Sequence, residues 1–412
     1  MASRLDGDRS GQIGTEAISR PRDPAGAAES TAAADVVPFR VEVPEDELAD
    51  LRRRLHATRW PDPEPVDDWS QGMPLAYLQE VCRYWAEEYD WRACEESLNS
   101  LPQLRTVIEG VGIHCVHVRS RHPEARPLVI THGWPGSILE FRKSIGPLTD
   151  PTSHGGSADD AFHLVLPSLP GFGFSDKPTT PGWTQERIAD AWALLMRRLG
   201  YRRYFAQGGD WGAAITADLG ARDPEGCAGL HVNMAVVRPD PATMDDLTAD
   251  EKGALAALQR YRDWDSGYSK QQSTRPQTVG YGLVDSPAGQ AAWILEKFWS
   301  WTDCDGHPEN VLTRDELLDN VMTYWLPRAA ASSARLYWES FGKGAAQVVE
   351  APAGYTRFPK ELFHASRRWM EKRFTQIVYW NELDRGGHFA ALEQPEAFVS
   401  ELRSAFREMS LD

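Results

Sequence analysis

Apolar residues recur every three to four positions in PEDELADLRRRLHATRWP, where Leu48, Leu51 and Leu55 form one stripe. That spacing predicts an amphipathic helix, and acids at its start with arginines late suit the helix dipole. A second helix fits PLAYLQEVCRYWAEEYDW, with Leu78, Val81, Cys82 and Trp85 on one face. No clear strand precedes these helices, so they form an N-terminal appendage that must pack on something else.

The period changes near residue 103. TVIEGVGIHCVHVRS alternates as a hairpin does, and PLVITHGWPG is a short apolar strand ending in a Gly/Pro loop. AFHLVLPSLPGFGFSDKP repeats that design. TQERIADAWALLMRRLG is a helix with Ile188, Trp192, Leu195 and Leu199 in register and Gly200 as its stop. YRRYFAQGGDWGAAITADLGARDP then reads as strand, sharp turn and helix, and CAGLHVNM as another strand. Strands alternating with helices predict an α/β fold, a mostly parallel sheet flanked by helices.

Residues 238–330 break the alternation and read as helical, with a capping box at Thr313-Arg314-Asp315-Glu316 before Leu317, Leu318, Val321 and Met322. The end returns to strand, loop and helix: TQIVYWNE, LDRGGHFAALEQ, then PEAFVSELRSAF with Phe398, Leu402 and Phe406 in register. The expected organisation is a disordered tail (1–36), an N-terminal helical extension (37–100), a core in two parts (101–237 and 331–412) and a helical lid between them (238–330). The lid would cap the C-terminal edge of the sheet.

Composition narrows the function. The chain has 412 residues, ordinary hydrophobic and charged content, and a net charge of −16. Phosphate-binding surfaces need clustered Lys and Arg, so a nucleic acid or anionic membrane is not an expected partner. No run of 18 apolar residues suggests a membrane span, and the first 36 residues lack a signal peptide's apolar region. Cys82, Cys94, Cys115, Cys227 and Cys304 form no close pair, which argues for a reducing, cytoplasmic setting and against a disulfide framework or zinc site. His114 and His117 fall on opposite faces of their strand, and no metal site is expected.

Candidate chemistry centres on GGDWG. Asp210 sits between a strand and a helix with glycines at −2 and +2, the spacing of a nucleophile turn with a carboxylate where esterases carry serine. Alone it reads as a Gly-rich loop whose Asp caps a helix. Two partners change that. His132-Gly133-Trp134-Pro135-Gly136 follows a strand at the place where such folds supply one oxyanion-hole N–H; the residue after the nucleophile supplies the other, so the donors are Trp134 and Trp211. His132 itself reads as a structural residue shaping the loop. His388, in RGGHF after the last strand, is positioned to be a general base. For the acid that orients it, Glu382 and Asp384 are nearby choices in sequence.

The RWP signature, HGWPGS, LPGFGFSDKP, GGDWG, DSPAGQAAWILEKFWSWT and RGGHFAALEQPE together resemble the microsomal-type epoxide hydrolases of the α/β-hydrolase superfamily, over nearly everything from Val37 onward. The resemblance implies that Glu361, in FPKEL, is the charge-relay acid. It also implies that Tyr268 and Tyr337 are lid tyrosines that hydrogen-bond the epoxide oxygen. It implies an apolar or aryl epoxide and water as partners, a vicinal diol as product, no cofactor and no metal, and a role in natural-product biosynthesis or detoxification. Mammalian relatives carry a membrane anchor where this chain has a polar tail, so a soluble protein is expected. Many family members associate through their N-terminal arms, which makes a homodimer one expectation.

An aspartate suits this chemistry. Displacement at a saturated carbon alkylates the nucleophile: serine would become an ether with no carbonyl to attack, whereas a carboxylate becomes a hydrolysable ester. A haloalkane-type dehalogenase would use the same aspartate and histidine but has no task for two phenols. A non-catalytic binding protein on the same scaffold typically lacks a triad member, and a serine esterase lacks its serine here.

Overall fold

The alternating segments close into one sheet of nine strands among the described residues: β1 (Val37–Pro38), β2 (Gln103–Ile108), β3 (Val111–Val118), β4 (Arg126–Thr131), β5 (Phe162–Pro167), β6 (Tyr204–Gly208), β7 (Cys227–Val232), β8 (Ala353–Arg357) and β9 (Ile377–Glu382). The computed structural model describes residues 36–343 and 346–411. The tail expected over residues 1–36 lies, except for Val36, outside them.

The strand order is β1-β2-β3-β5-β4-β6-β7-β8-β9. The first three strands join antiparallel, and from β5 to β9 every pairing is parallel. This is the expected mostly parallel sheet of an α/β-hydrolase fold. Leu128, Val129 and Ile130 of β4 are at most 1% exposed, as a strand covered on both faces requires.

The chain leaves β4 toward β5 on one side and reaches β6 on the other, with Thr131 paired to Gly208. Because parallel crossovers are right-handed, this reversal sends helices to opposite faces. Helices α4 (Arg142–Thr149) and α15 (Pro395–Arg407) pack together, as do α5 (Gln185–Arg198) and α6 (Asp210–Arg222). The reversal also opens a crevice beyond the strands' C-terminal ends, where open α/β sheets bind ligands. HGWPG and GGDWG leave β4 and β6 at that point.

The N-terminal helices α1 (Glu45–His56) and α2 (Leu75–Glu87) bury Leu48, Leu51, Leu55, Val81, Cys82 and Trp85 as their spacing predicts; α3 (Trp91–Asn99), which buries Trp91, Cys94 and Leu98 on one face, was not anticipated. What they pack on is largely the lid: α1 and α2 touch α10 (Pro287–Trp301), and α3 touches α11 (Arg314–Trp325). Tyr89 Oη donates to Asp319 Oδ1 at 2.7 Å within that contact.

The rest of the lid comprises α7 (Ala249–Arg260), α8 (Gly267–Thr274), α9 (Pro276–Asp285) and α12 (Ala330–Ser340). The Thr313–Glu316 capping box forms as expected. Here the structure corrects a boundary. Helix α12 packs on α8 and α9, and the sheet resumes only at Ala353. The lid's helical run therefore ends at Ser340, not at residue 330; the turn at Leu326-Pro327-Arg328 only separates α11 from α12. Short helices α13 (Arg367–Met370) and α14 (Ala390–Glu393) complete the core.

All five cysteines are buried free thiols. Among the described residues no helix is long and apolar enough to cross a membrane.

Candidate active site

Strand β6 ends at Gly208 and α6 begins at Asp210, so the chain reverses within one residue. Asp210 takes φ = 50°, a left-handed conformation that costs a non-glycine residue on the order of 1–3 kcal/mol. Tertiary packing enforces it. A Cβ on Gly212 would lie 1.9 Å from the Thr131 carbonyl oxygen, and one on Gly133 would lie 2.1 Å from Asp210 Oδ1. Substitution Gly212→Ala should therefore cost about 3 kcal/mol or more through backbone collision, read as a lowered denaturation midpoint. Gly253→Ala, where a Cβ meets nothing within 4 Å, should leave the midpoint unchanged or raised.

The strain holds the carboxylate among functional groups. Asp210 Oδ1 accepts the Trp134 backbone N–H at 2.8 Å, and Oδ2 lies 3.3 Å from His388 Nε2. The other ring nitrogen, Nδ1, lies 2.9 Å from Glu361 Oε1, which also accepts the Leu362 N–H at 2.6 Å. Lys360 N–H bonds the Gly386 carbonyl at 3.1 Å, fastening the loop after β8 to the histidine loop. That bond is why FPKEL reaches a histidine distant in sequence. Of the rival acids, Glu382 pairs with Arg357 instead.

Burial opposes a charge on His388, but the Glu361 carboxylate and the hydrogen bonds to Asp210 and Glu361 override it and hold its pKa well above the usual histidine value. His132 is the structural residue expected: its Nδ1 faces the Gly133 carbonyl at 2.9 Å, and its Nε2 accepts the Leu169 N–H at 3.2 Å. Burial pushes its pKa down to about 4.

A cavity of about 20 Å³ sits against this constellation, lined among others by Gly133, Glu140, Asp210, Asn233 and His388. That is room for about one water. Glu140 was missed by sequence reasoning, although an acid four residues beyond Gly136 could have drawn notice. Its carboxylate fills the space where Gly136 has no side chain. Burial pushes its pKa up to about 8, with the charge on Asp210 adding to the shift.

On the lid side, Tyr268 of α8 stacks on Trp134 with centroids 4.9 Å apart, and Tyr337 of α12 meets Trp211 edge-on at 4.9 Å. The two tyrosines lie 5.8 Å apart. Burial raises both phenol pKa values well above the usual, with Asp210's charge contributing, so both keep their O–H. Tyr261, also missed, faces Tyr268 with its hydroxyl 3.1 Å away. Trp211 is the second residue of α6, so its N–H has no partner within the helix. Trp134 and His388 thus contact Asp210 directly, Glu361 contacts His388, and Tyr268 and Tyr337 pack on Trp134 and Trp211. A separate cleft of about 730 Å³, with Trp183, Leu336 and Trp338 among its walls, opens between core and lid beside Tyr337.

The chain is similar to known proteins over most of its length. Residues 36–141 match the model of the epoxide hydrolase N terminus, and residues 126–275 match that of the alpha/beta hydrolase fold. A protein of Stigmatella aurantiaca provisionally named an epoxide hydrolase is 56% identical, over 91% of this chain and 85% of its own. Epoxide hydrolase 1 of Oryctolagus cuniculus is 36% identical over 89% and 87%. The crystal structure of juvenile hormone epoxide hydrolase from Bombyx mori superposes with a TM-score of 0.82 at 32% identity, covering 91% of this chain and 95% of that one. The chain belongs to the epoxide hydrolase family, in its microsomal-type branch.

Proposed function

We propose that the protein converts an apolar or aryl epoxide and water to a vicinal diol through an ester formed on Asp210. The observation that carries this reading is one strained aspartate placed between a histidine–glutamate pair on one side and two buried phenols on the other. Halide displacement leaves those phenols without a task.

In the first half-reaction an Asp210 oxygen attacks a ring carbon, the carbon–oxygen bond of the ring breaks, and Tyr268 and Tyr337 hydrogen-bond the departing oxygen and deliver its proton. A phenol is a far stronger acid than water, which suits this role. The resting charge on His388 then becomes useful. Esterification neutralises Asp210, removing part of what held the imidazolium, and the proton His388 then loses returns to the phenolate, leaving a restored phenol and a neutral His388.

In the second half-reaction neutral His388, oriented by Glu361, takes a proton from a water, for which the small cavity beside Asp210 has room. The hydroxide attacks the carbonyl carbon of Asp210, and the N–H groups of Trp134 and Trp211 hold the oxyanion. Collapse expels the diol oxygen, which is protonated as the free carboxylate returns. Glu140, kept neutral near pH 7 by burial, can hydrogen-bond that water without adding a second anion beside Asp210.

Incubating the protein with styrene-type and bulky aryl epoxides and resolving the diols by chiral chromatography tests the reading. Diol from at least one, in multiple turnovers, is expected; none across the set contradicts it. A pH dependence follows from the raised pKa of His388. Glu361→Gln removes the charge that raises it, so the neutral base should persist to lower pH. The acid limb of ester hydrolysis should then move down in pH while the plateau falls by about 10²–10⁴. An unmoved limb in rapid-quench measurements contradicts the assigned pairing.

A further inference from the structure

The lid helix α10 ends at Trp301, and the residues there grip the histidine loop from several sides. His388 N–H donates to the Trp301 carbonyl at 2.8 Å, and Gly386 N–H donates to Asp303 Oδ2 at 3.0 Å. Asp303's own N–H donates to Glu393 Oε2 at 2.8 Å. Glu393 ends α14, five residues beyond His388, so the bonds close a ring: histidine loop, α14, Glu393, Asp303 and back to Gly386. Contact within the ring is tight. A Cβ on Gly387 would lie 2.5 Å from the Trp301 carbonyl oxygen and 3.1 Å from Glu393 Oε1.

Glu393 is only 8% exposed, and the backbone N–H groups of Asp303 and Gly387 both favour its charged form, so its hydrogen-bonding contacts come from the lid end and the histidine loop. A buried carboxylate is costly, and burial with the nearby Asp303 pushes its pKa up to about 7. Fastening the lid does not require such an expense, because Phe298 already stacks on Phe389 at 4.2 Å and Trp301 on Phe389 at 6.3 Å. What apolar stacking cannot do is fix the height and tilt of a backbone segment. Two directed hydrogen bonds flanking residue 387 can.

We propose that Asp303 and Glu393 are positioning residues for His388: the C-terminal end of lid helix α10 sets the imidazole against Asp210 and the small cavity, so the base is in place only when α10 is seated. This rests on the assignment of His388 as the base of ester hydrolysis. Neither residue touches the reacting atoms.

The test separates the half-reactions by rapid quench and mass measurement of the Asp210 peptide, using the full chain and styrene oxide. Asp303→Ala and Glu393→Ala should slow ester hydrolysis by about 10²-fold, the scale of a 1 Å misplacement, so that ester accumulates, while alkylation changes less than about threefold. Asp303→Asn and Glu393→Gln keep the acceptor oxygens and should restore hydrolysis to within about threefold of the parent. If Asp303→Ala does not fold, Glu393→Ala and the one-methylene-shorter Glu393→Asp report the same link from the core side. Hydrolysis at the parent rate in the alanine variants, or an equal fall in both half-reactions, overturns the proposal. Absence of ester in the parent protein would instead strike the covalent route itself.

Discussion

Replacing Tyr268 and Tyr337 together by Phe should all but abolish diol formation while leaving the fold intact. Each phenol is a preformed donor in a water-poor site, and loss of one such donor typically costs ~10²–10³ in rate. Either single change should leave measurable turnover through the remaining hydroxyl, and the double change should cost more than either. The loss should fall on alkylation, because the proposed role of the phenols is at the ring oxygen and neither lines the small cavity beside His388. The hydroxyls are removed from a cluster whose rings stay packed, with Trp134 on Tyr268 and Trp211 on Tyr337, and Tyr261 keeps Ser269 Oγ as a partner at 3.2 Å. Stopped-flow alkylation rates with a thermal melt of each variant give the comparison. Diol formation within tenfold of the parent in the double variant would remove the tyrosines from the mechanism.

The second large effect belongs to His388→Gln. Glutamine keeps a polar group near Asp210 but cannot take a proton from water, so general-base assistance of about 10²–10⁴ is lost. Alkylation does not need that base, and it should proceed to one equivalent per chain and stop. The variant should titrate its own active sites, with a mass increase equal to the epoxide on the peptide holding Asp210. An imidazole that only braced the fold would give parallel losses in both steps and no stalled adduct.

Much of this was legible in the sequence because the signals were local. Gly208, Asp210 and Gly212 form a turn whose need for small residues follows from one strained φ. The stripes of α1, α2, α5 and α15 each predicted a buried face that the structure buries. Other features depended on distance. Glu382 and Asp384 lie nearer His388 in sequence than Glu361 does, and it is tertiary structure, with the Lys360–Gly386 bond joining the two loops, that sets Glu361 against the ring. Tyr268 and Tyr337 came from family likeness, since nothing local separates them from the other tyrosines. Glu140 and Tyr261 escaped because their meaning lies in a cavity and a hydroxyl pair made by other elements. The lid's end was placed at 330 because Pro327 and the turn around Arg328 interrupt the helical run there, although it resumes in α12.

The central claim is that the aspartate itself is alkylated and then freed by water attacking its own carbonyl carbon. One turnover in oxygen-18 water, with enzyme in excess over epoxide, tests it most directly. The account predicts label in the side chain of Asp210 and an unlabelled first diol, with labelled diol appearing only in later turnovers. Label in the diol from the first turnover, with residue 210 unlabelled, would mean that water attacks the epoxide directly.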